Sequence, residues 1–305
     1  MLSFILRRLL IIVPMALLVV TVTWGLIRIA PGNFYSTEKK LPPAIEANIK
    51  KKYGLDKPVL QQYLIMMRNV LSGDFGDSLK YQGQTVNEII WRHLPYSATM
   101  GILAYLLALS VGLTAGILAA LRQNSGWDYG SMAGAMLGLS VPNFVLGPIL
   151  VLVFALWLHW LPPARWGGIE NMILPVFTLS VIYMAYIARL TRAGMLEVMR
   201  SDYIRTARAK GLDEKTVLLK HGLRGGIIPV VSFTGPALAS LLAGTVVVEK
   251  VFAIPGLGNI FIQSVLNRDE PLILGIVAFL SILIMVFNLL VDISYGFLDP
   301  RIRYE

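Results

Sequence analysis

The stretch Ala193–Pro229, AGMLEVMRSDYIRTARAKGLDEKTVLLKHGLRGGIIP, separates two apolar segments that are each long enough to cross a bilayer. Lys and Arg outnumber Asp and Glu within it, and such a charge excess keeps a short segment between two spans on the cytoplasmic side. Its punctuation predicts two short helices. Asp202 can N-cap a helix over Tyr203–Lys210, Gly211 can take the left-handed stop, and Asp213 can cap a second helix reaching Arg224. Acidic residues at both starts and basic residues at both ends suit the helix dipole. The second helix carries two apolar faces, one with Thr216, Leu219 and Leu223, the other with Val217, Leu218 and His221. Such a helix can pack on its own bundle and also meet a partner. The competing reading is a basic connector resting on lipid headgroups.

Composition sets the class around this stretch. The chain has 305 residues, 56% of them hydrophobic and 15% charged, which predicts an all-α polytopic membrane protein. The net charge of +9 comes without the interleaved aromatics of a base-stacking surface, so orientation in the membrane explains it better than nucleic acid. There is no cysteine, and the three histidines lie far apart without metal-ligand spacing.

Hydropathy predicts six transmembrane helices with both termini cytoplasmic. Arg7 and Arg8 anchor the start, and Leu9–Ala30 forms the first span, with Pro14 as a kink and Arg28 snorkelling at the outer end. A cleaved leader is the alternative, but its apolar core should be shorter. Pro31–Pro95 (residues 31–95) is polar and external, with short amphipathic helices expected over Ile45–Tyr53 and Val59–Leu71. Its bases do not breach the charge rule, because segments longer than about 60 residues translocate largely regardless of charge.

The second span is expected over Tyr96–Leu121, where Ser110, Gly112 and Gly116 admit a close neighbour. The third is expected over Gly130–Leu158, interrupted by Pro142 and Pro148. Carbonyls freed by proline cannot face lipid, so this span either lines a wet pathway or kinks for packing. Met172–Arg189 is the fourth span, Ile227–Val248 the fifth and Leu272–Phe297 the sixth. Pro142 and Asn143 in the third span, Gly235 and Pro236 in the fifth, and Glu249 just beyond it are candidate pathway or gate residues. Asn288 and Asp292 share a face of the sixth, where a structural hydrogen bond is expected.

Several runs carry a family resemblance. YIRTARAKGL, VLLKHGLR and IIPVV resemble the cytoplasmic loop of membrane subunits in ATP-driven peptide importers. KYGLDKPVLQQY, GDFGDS and LPYSAT resemble the external segment of those subunits, and VEKVFAIPGLG with NRDEP their re-entrant element near the outer gate. The likeness covers nearly the whole chain and is strongest to the first membrane subunit in the oligopeptide branch. Two departures from the wider family, Arg205 in place of an acidic residue and a long gap from Gly211 to Pro229, fit the peptide branch.

The resemblance implies the permease fold of type I ATP-binding-cassette importers in the bacterial inner membrane, with residues 1–305 as one permease domain. It makes residues 193–229 the ATPase-coupling loop, with Asp202, Tyr203, Arg205, Thr206, Ala207, Arg208, Ala209, Lys210, Gly211 and Leu212 as its contacts. It implies as partners a second homologous permease subunit, two ATPase subunits, an external substrate-binding protein and a peptide substrate. No cofactor is expected on this chain; ATP and Mg belong to the ATPase subunits.

No phosphate-binding loop is present, since Gly244–Lys250 places Glu249 where the second glycine must stand. No nucleophile–base pair stands out, so an intramembrane enzyme is remote. The main alternative, an ion-coupled secondary transporter acting without an ATPase, would be expected to show internal repeats and ion-coordinating polar groups; no clear repeat is seen, and the spans hold few acidic residues.

Overall fold

Apart from one bridge between Asp77 and Thr85, every regular element among the described residues is helical. The computed structural model describes residues 2–30 and 56–298, without the side chains of 2–5, 242–245 and 294–298. The helix expected over Ile45–Tyr53 lies outside the described residues.

The helices are α1 (Leu2–Ile29), α2 (Val59–Ser72), α3 (Val86–Leu121), α4 (Gly126–Ser140) and α5 (Asn143–Leu150), the last prolonged by π-helical turns over Val151–Trp157. Next come α6 (Ile169–Met199), α7 (Asp202–Ala209) and α8 (Glu214–Thr216), which runs through π-helical Val217–Gly222 into α9 (Leu223–Gly226). The chain closes with α10 (Ile228–Val251), α11 (Leu257–Leu266) and α12 (Glu270–Leu298). Among the described residues four helices, in α1, α3, α6 and α12, are long and apolar enough to span a membrane, and α4 with α5 forms a bent pair that makes a fifth if it counts as one span.

The expected boundaries need correction in three places. The second span does not begin at Tyr96. Thr85 and Glu88 form a reciprocal capping box, and α3 runs from Val86 straight through Pro95. Val86, Ile89 and Ile90 are held there by Leu257, Leu272 and Ile276, so burial extends the helix into the segment expected to be polar.

The segment expected as the third span is broken rather than kinked. Its halves meet at 103°. Pro142 lies at the break, where it lacks a donor and opens α5, whereas Pro148 is accommodated inside α5 just before the π-helical turns. The third correction is Glu249, which lies within α10 and not in a turn beyond it.

Helix α6 is the centre of the bundle and makes its most extensive contact with α3. Small residues set that contact. A Cβ added to Gly112 would stand 2.8 Å from Ile187 Cβ, and one on Gly116 only 2.5 Å from Thr191 Cβ. Ser110 is exposed and bonds within its own helix instead. The main core joins Met100 and Ala108 of α3, Leu179 and Ile187 of α6, and Ala237 and Leu241 of α10. Helix α1 packs on α12, where Val20 meets Leu274 and Ala278. Arg28 does not merely snorkel: it hydrogen-bonds Gln62 and lies 5.2 Å from the Trp24 ring centre. Asp292 forms an ion pair with Arg8 at 3.0 Å, so this charge in an apolar helix is met by protein.

Candidate coupling loop and pathway residues

Between α6 and α10 the chain folds into a compact unit. Ile204 and Ala207 of α7 are buried with Val217, and Val198 packs against them. Gly211 separates the two helices at φ +76°, a left-handed conformation that glycine adopts freely. Its N–H returns to the Arg208 carbonyl at 2.9 Å, closing α7.

Asp213 caps the second helix as its sequence predicts, accepting the Thr216 N–H at 3.1 Å. Those bonds from Thr216 hold the Asp213 carboxyl below its ordinary range. Asp202 does not cap the first helix. It is the first helical residue, preceded by Ser201, and its carboxylate is engaged by Arg205 one turn on. Ser201 Oγ donates to the Val198 carbonyl and leaves α7 without a side-chain cap.

A second pair braces the glycine turn. Arg208 reaches over to Glu214 with two bonds, Nη2 to Oε1 at 2.6 Å and Nε to Oε2 at 3.1 Å. The guanidinium pulls the Glu214 carboxyl below its usual value, and the carboxylate raises Arg208 in turn.

Of the residues predicted from Asp202 to Leu212, only Ala207 is buried, inside the loop's own small core. The others share an exposed surface, with Tyr203 49% and Leu212 41% accessible. The second helix turns Val217 and Gly222 inward and leaves Leu219 60% exposed, so its two apolar faces have different fates.

Just before the loop, an ion pair that sequence reasoning missed ties α6 to α4. Arg192 of α6 binds Asp128 of α4 bidentately, at 2.6 and 2.8 Å, and Asp128 also accepts the Asn124 N–H at 3.0 Å. Asp128 is 2% exposed. An acidic residue in an otherwise apolar glycine-rich run was the available signal.

The pathway candidates are not brought to one point. Pro142 is exposed at the α4–α5 break, and Asn143 Oδ1 is buried without a hydrogen-bond partner. Gly235 is packed against α12, where an added Cβ would stand 2.7 Å from Val291, so its small size serves helix packing. Pro236 beside it is exposed.

Glu249 is wholly buried, accepting from Ser97 Oγ at 2.6 Å and from the Asn259 N–H at 2.9 Å. Ser97 Oγ accepts the Leu257 N–H at 2.8 Å. Together the two side chains satisfy donors that the start of α11 would otherwise leave open. Asp269 does similar work nearby. It takes bonds from Ser78 Oγ and from the N–H groups of Leu79 and Lys80, which pins the 78–80 turn to the start of α12.

The arrangement is a helical membrane bundle with one exposed, self-braced loop at one end of α6 and α10. Known proteins resemble the chain in sequence and in fold. Residues 112–304 match the family described as binding-protein-dependent transport system inner membrane component, and residues 1–100 match the N-terminal region of such membrane components. This chain belongs to that family.

It is 45% identical over 306 residues to the oligopeptide transport system permease protein OppB of Haemophilus influenzae, covering 100% of both chains. It is 42% identical over 287 residues to the dipeptide transport system permease protein DppB of Bacillus subtilis, covering 94% of this chain and 93% of that one. Among solved structures, an inward-facing methionine ABC transporter, MetNI, aligns with TM-score 0.57 and 17% identity, over 69% of this chain and 96% of that one. An amino acid ABC transporter with histidines aligns with TM-score 0.54 and 18% identity, over 68% and 93%. These likenesses establish a shared fold. As a family member the chain is an inner membrane component of a transport system, in keeping with its long apolar helices.

Proposed function

We propose that this chain is a pathway-forming membrane subunit of an ATP-driven peptide importer, with oligopeptides as the substrate class. The observation that carries the reading is the 45% identity, end to end, with an oligopeptide permease. The loop geometry supports it. An exposed set of side chains around Gly211, packed on α6 through Ile204, Ala207, Val217 and Val198, is suited to receive a partner and pass its movement into the bundle.

Six spans follow if α1, α3, the α4–α5 pair, α6, α10 and α12 each cross once. Helix α10 has 24 residues, about 36 Å at 1.5 Å per residue, enough for the hydrocarbon core. Both termini and residues 193–229 then lie in the cytoplasm and residues 31–95 outside, in line with where the short basic segments fall.

The partners are a second homologous permease subunit, two ATPase subunits docked on the 193–229 loop, and an external substrate-binding protein. ATP and Mg are used by the ATPase subunits, and this chain holds no nucleotide site. ATP binding and release bias two pre-existing states of the bundle, one open to each side.

Co-purification with the products of the neighbouring reading frames, followed by reconstitution into proteoliposomes, tests this. Peptide uptake should require ATP, the ATPase subunits and the binding protein. Uptake by this chain alone under an ion gradient would replace the reading with an ion-coupled carrier, which the relatives do not support.

A further inference from the structure

Helix α6 exposes two stripes on opposite sides. Ile173 and Phe177 form one, and it is apolar. Tyr186, Arg189, Ala193 and Glu197 form the other, all exposed and spaced at three or four residues. Phe177 and Tyr186 are nine residues apart, which at 3.6 residues per turn puts them about half a turn out of phase.

The polar stripe continues onto α10. The Phe233 ring lies 5.4 Å from that of Tyr186 and 6.3 Å from that of Tyr183, tilted by 40° and 36°. Ser240 and Pro236, farther along the same helix, are exposed as well. Arg189 has no ion pair or hydrogen bond among the described residues. The Tyr186 phenol, the Ser240 hydroxyl and the Arg189 guanidinium, the last at the loop end of the span, give this face a polar character that suits water or a polar occupant better than hydrocarbon. The Ile173–Phe177 stripe carries no such demand.

The geometry points to a peptide-contacting subsite on this face, specific for the C-terminal residue of the cargo. The rings of Tyr186 and Phe233 would take an apolar side chain, and the Arg189 guanidinium the terminal carboxylate. Tyr186 and Arg189 are one turn apart, a rise of about 4.5 Å, comparable with the separation of a residue's side chain from its own carboxylate. The unpartnered cation and the half-exposed rings are complementary to that end of a peptide, and an apolar helix of a second subunit would leave Arg189 unpaired. The inference rests on the peptide-importer reading and deepens it.

The test is uptake by the reconstituted complex of matched peptides that end in Phe or Gly, each with a free or amidated C-terminus. Tyr186→Ala and Phe233→Ala should each raise KM for the Phe-ending peptide by about tenfold relative to the Gly-ending one, the scale of a lost aromatic contact. Arg189→Gln should erase the preference for a free carboxylate, and Arg189→Lys should restore most of it. Phe177→Ala, on the opposite face, should change neither ratio.

In the unsubstituted complex, a peptide ending in photoreactive benzoylphenylalanine should label α6 or α10 near Tyr186 or Phe233, a readout that does not depend on variant folding. Unchanged ratios in transporting variants, or labelling confined to other helices, would overturn the subsite alone. A wild-type complex that imports no peptide would overturn the peptide reading together with it.

Discussion

The two ends of α10 are held in opposite ways. At its C-terminal end, Glu249 is buried and satisfied by a serine hydroxyl and a backbone N–H, with Asp269 treated alike close by. At its N-terminal end, the loop is braced by exposed guanidinium–carboxylate pairs, Arg205 with Asp202 and Arg208 with Glu214. Buried acceptors leave one arrangement of their donors, because a group left unmade in the interior loses its full desolvation cost. Exposed pairs contribute little and can be exchanged for a partner's groups. One end is therefore built as a fixed point and the other as a surface whose pairs can rearrange.

The comparison requires the two ends to lie on opposite sides of the membrane. Single cysteines at exposed Lys80 and Lys215 should label in opposite senses with an impermeant thiol reagent applied to intact cells. Equal labelling from outside would break it outright.

The next effect in size concerns the fixed end. Asp269→Ala would remove the acceptor of the buried Ser78 hydroxyl and Leu79 N–H and of the part-buried Lys80 N–H. A loss of roughly 3 kcal/mol or more is expected, seen as a lower thermal midpoint of the purified protein in detergent. A shift within error would show that the 78–80 turn is held by something else.

At the other end, Gly211→Val places a branched side chain at φ +76°, a penalty of about 1–2 kcal/mol. The loop turn should be disturbed while the spans remain intact. Membrane insertion and expression should be near normal, with substrate-stimulated ATP hydrolysis of the assembled complex reduced. Full ATPase stimulation would favour a headgroup anchor over a docking loop.

The smallest expected effect is a pH dependence. The Glu214 carboxyl lies below its ordinary value of 4.5 because of Arg208, so the pair's contribution is complete above that value. It is lost as the pH falls through the depressed one. Recovery of ATPase subunits on the wild-type chain should decline in that window, and less steeply with Glu214→Gln. High salt should shrink the difference, since the pair is exposed.

Much of the loop was legible beforehand. Gly211 as the left-handed stop and Asp213 as a cap are choices made within a few residues, and both are found. Asp202 misled because two local partners competed for one carboxylate and Arg205 won. The start of α3 carries a local signal as well, the Thr85 and Glu88 spacing of a capping box. Asp128 and Asp269 stand out as acids in their surroundings, but their partners Arg192 and Ser78 lie 64 and 191 residues away in the chain.

What the sequence determined by itself was local: apolar runs of spanning length, their punctuation, the basic flanks, and the motifs that carry the family. Hydropathy and capping act over one or a few turns, so one chain suffices to read them. Tertiary structure alone decided how sharply the third span is broken and which donors meet the buried acids. Ser97 is 152 residues from Glu249 and Ser78 is 191 from Asp269. Such pairings are chosen by how the helices pack, and no spacing along the chain encodes them.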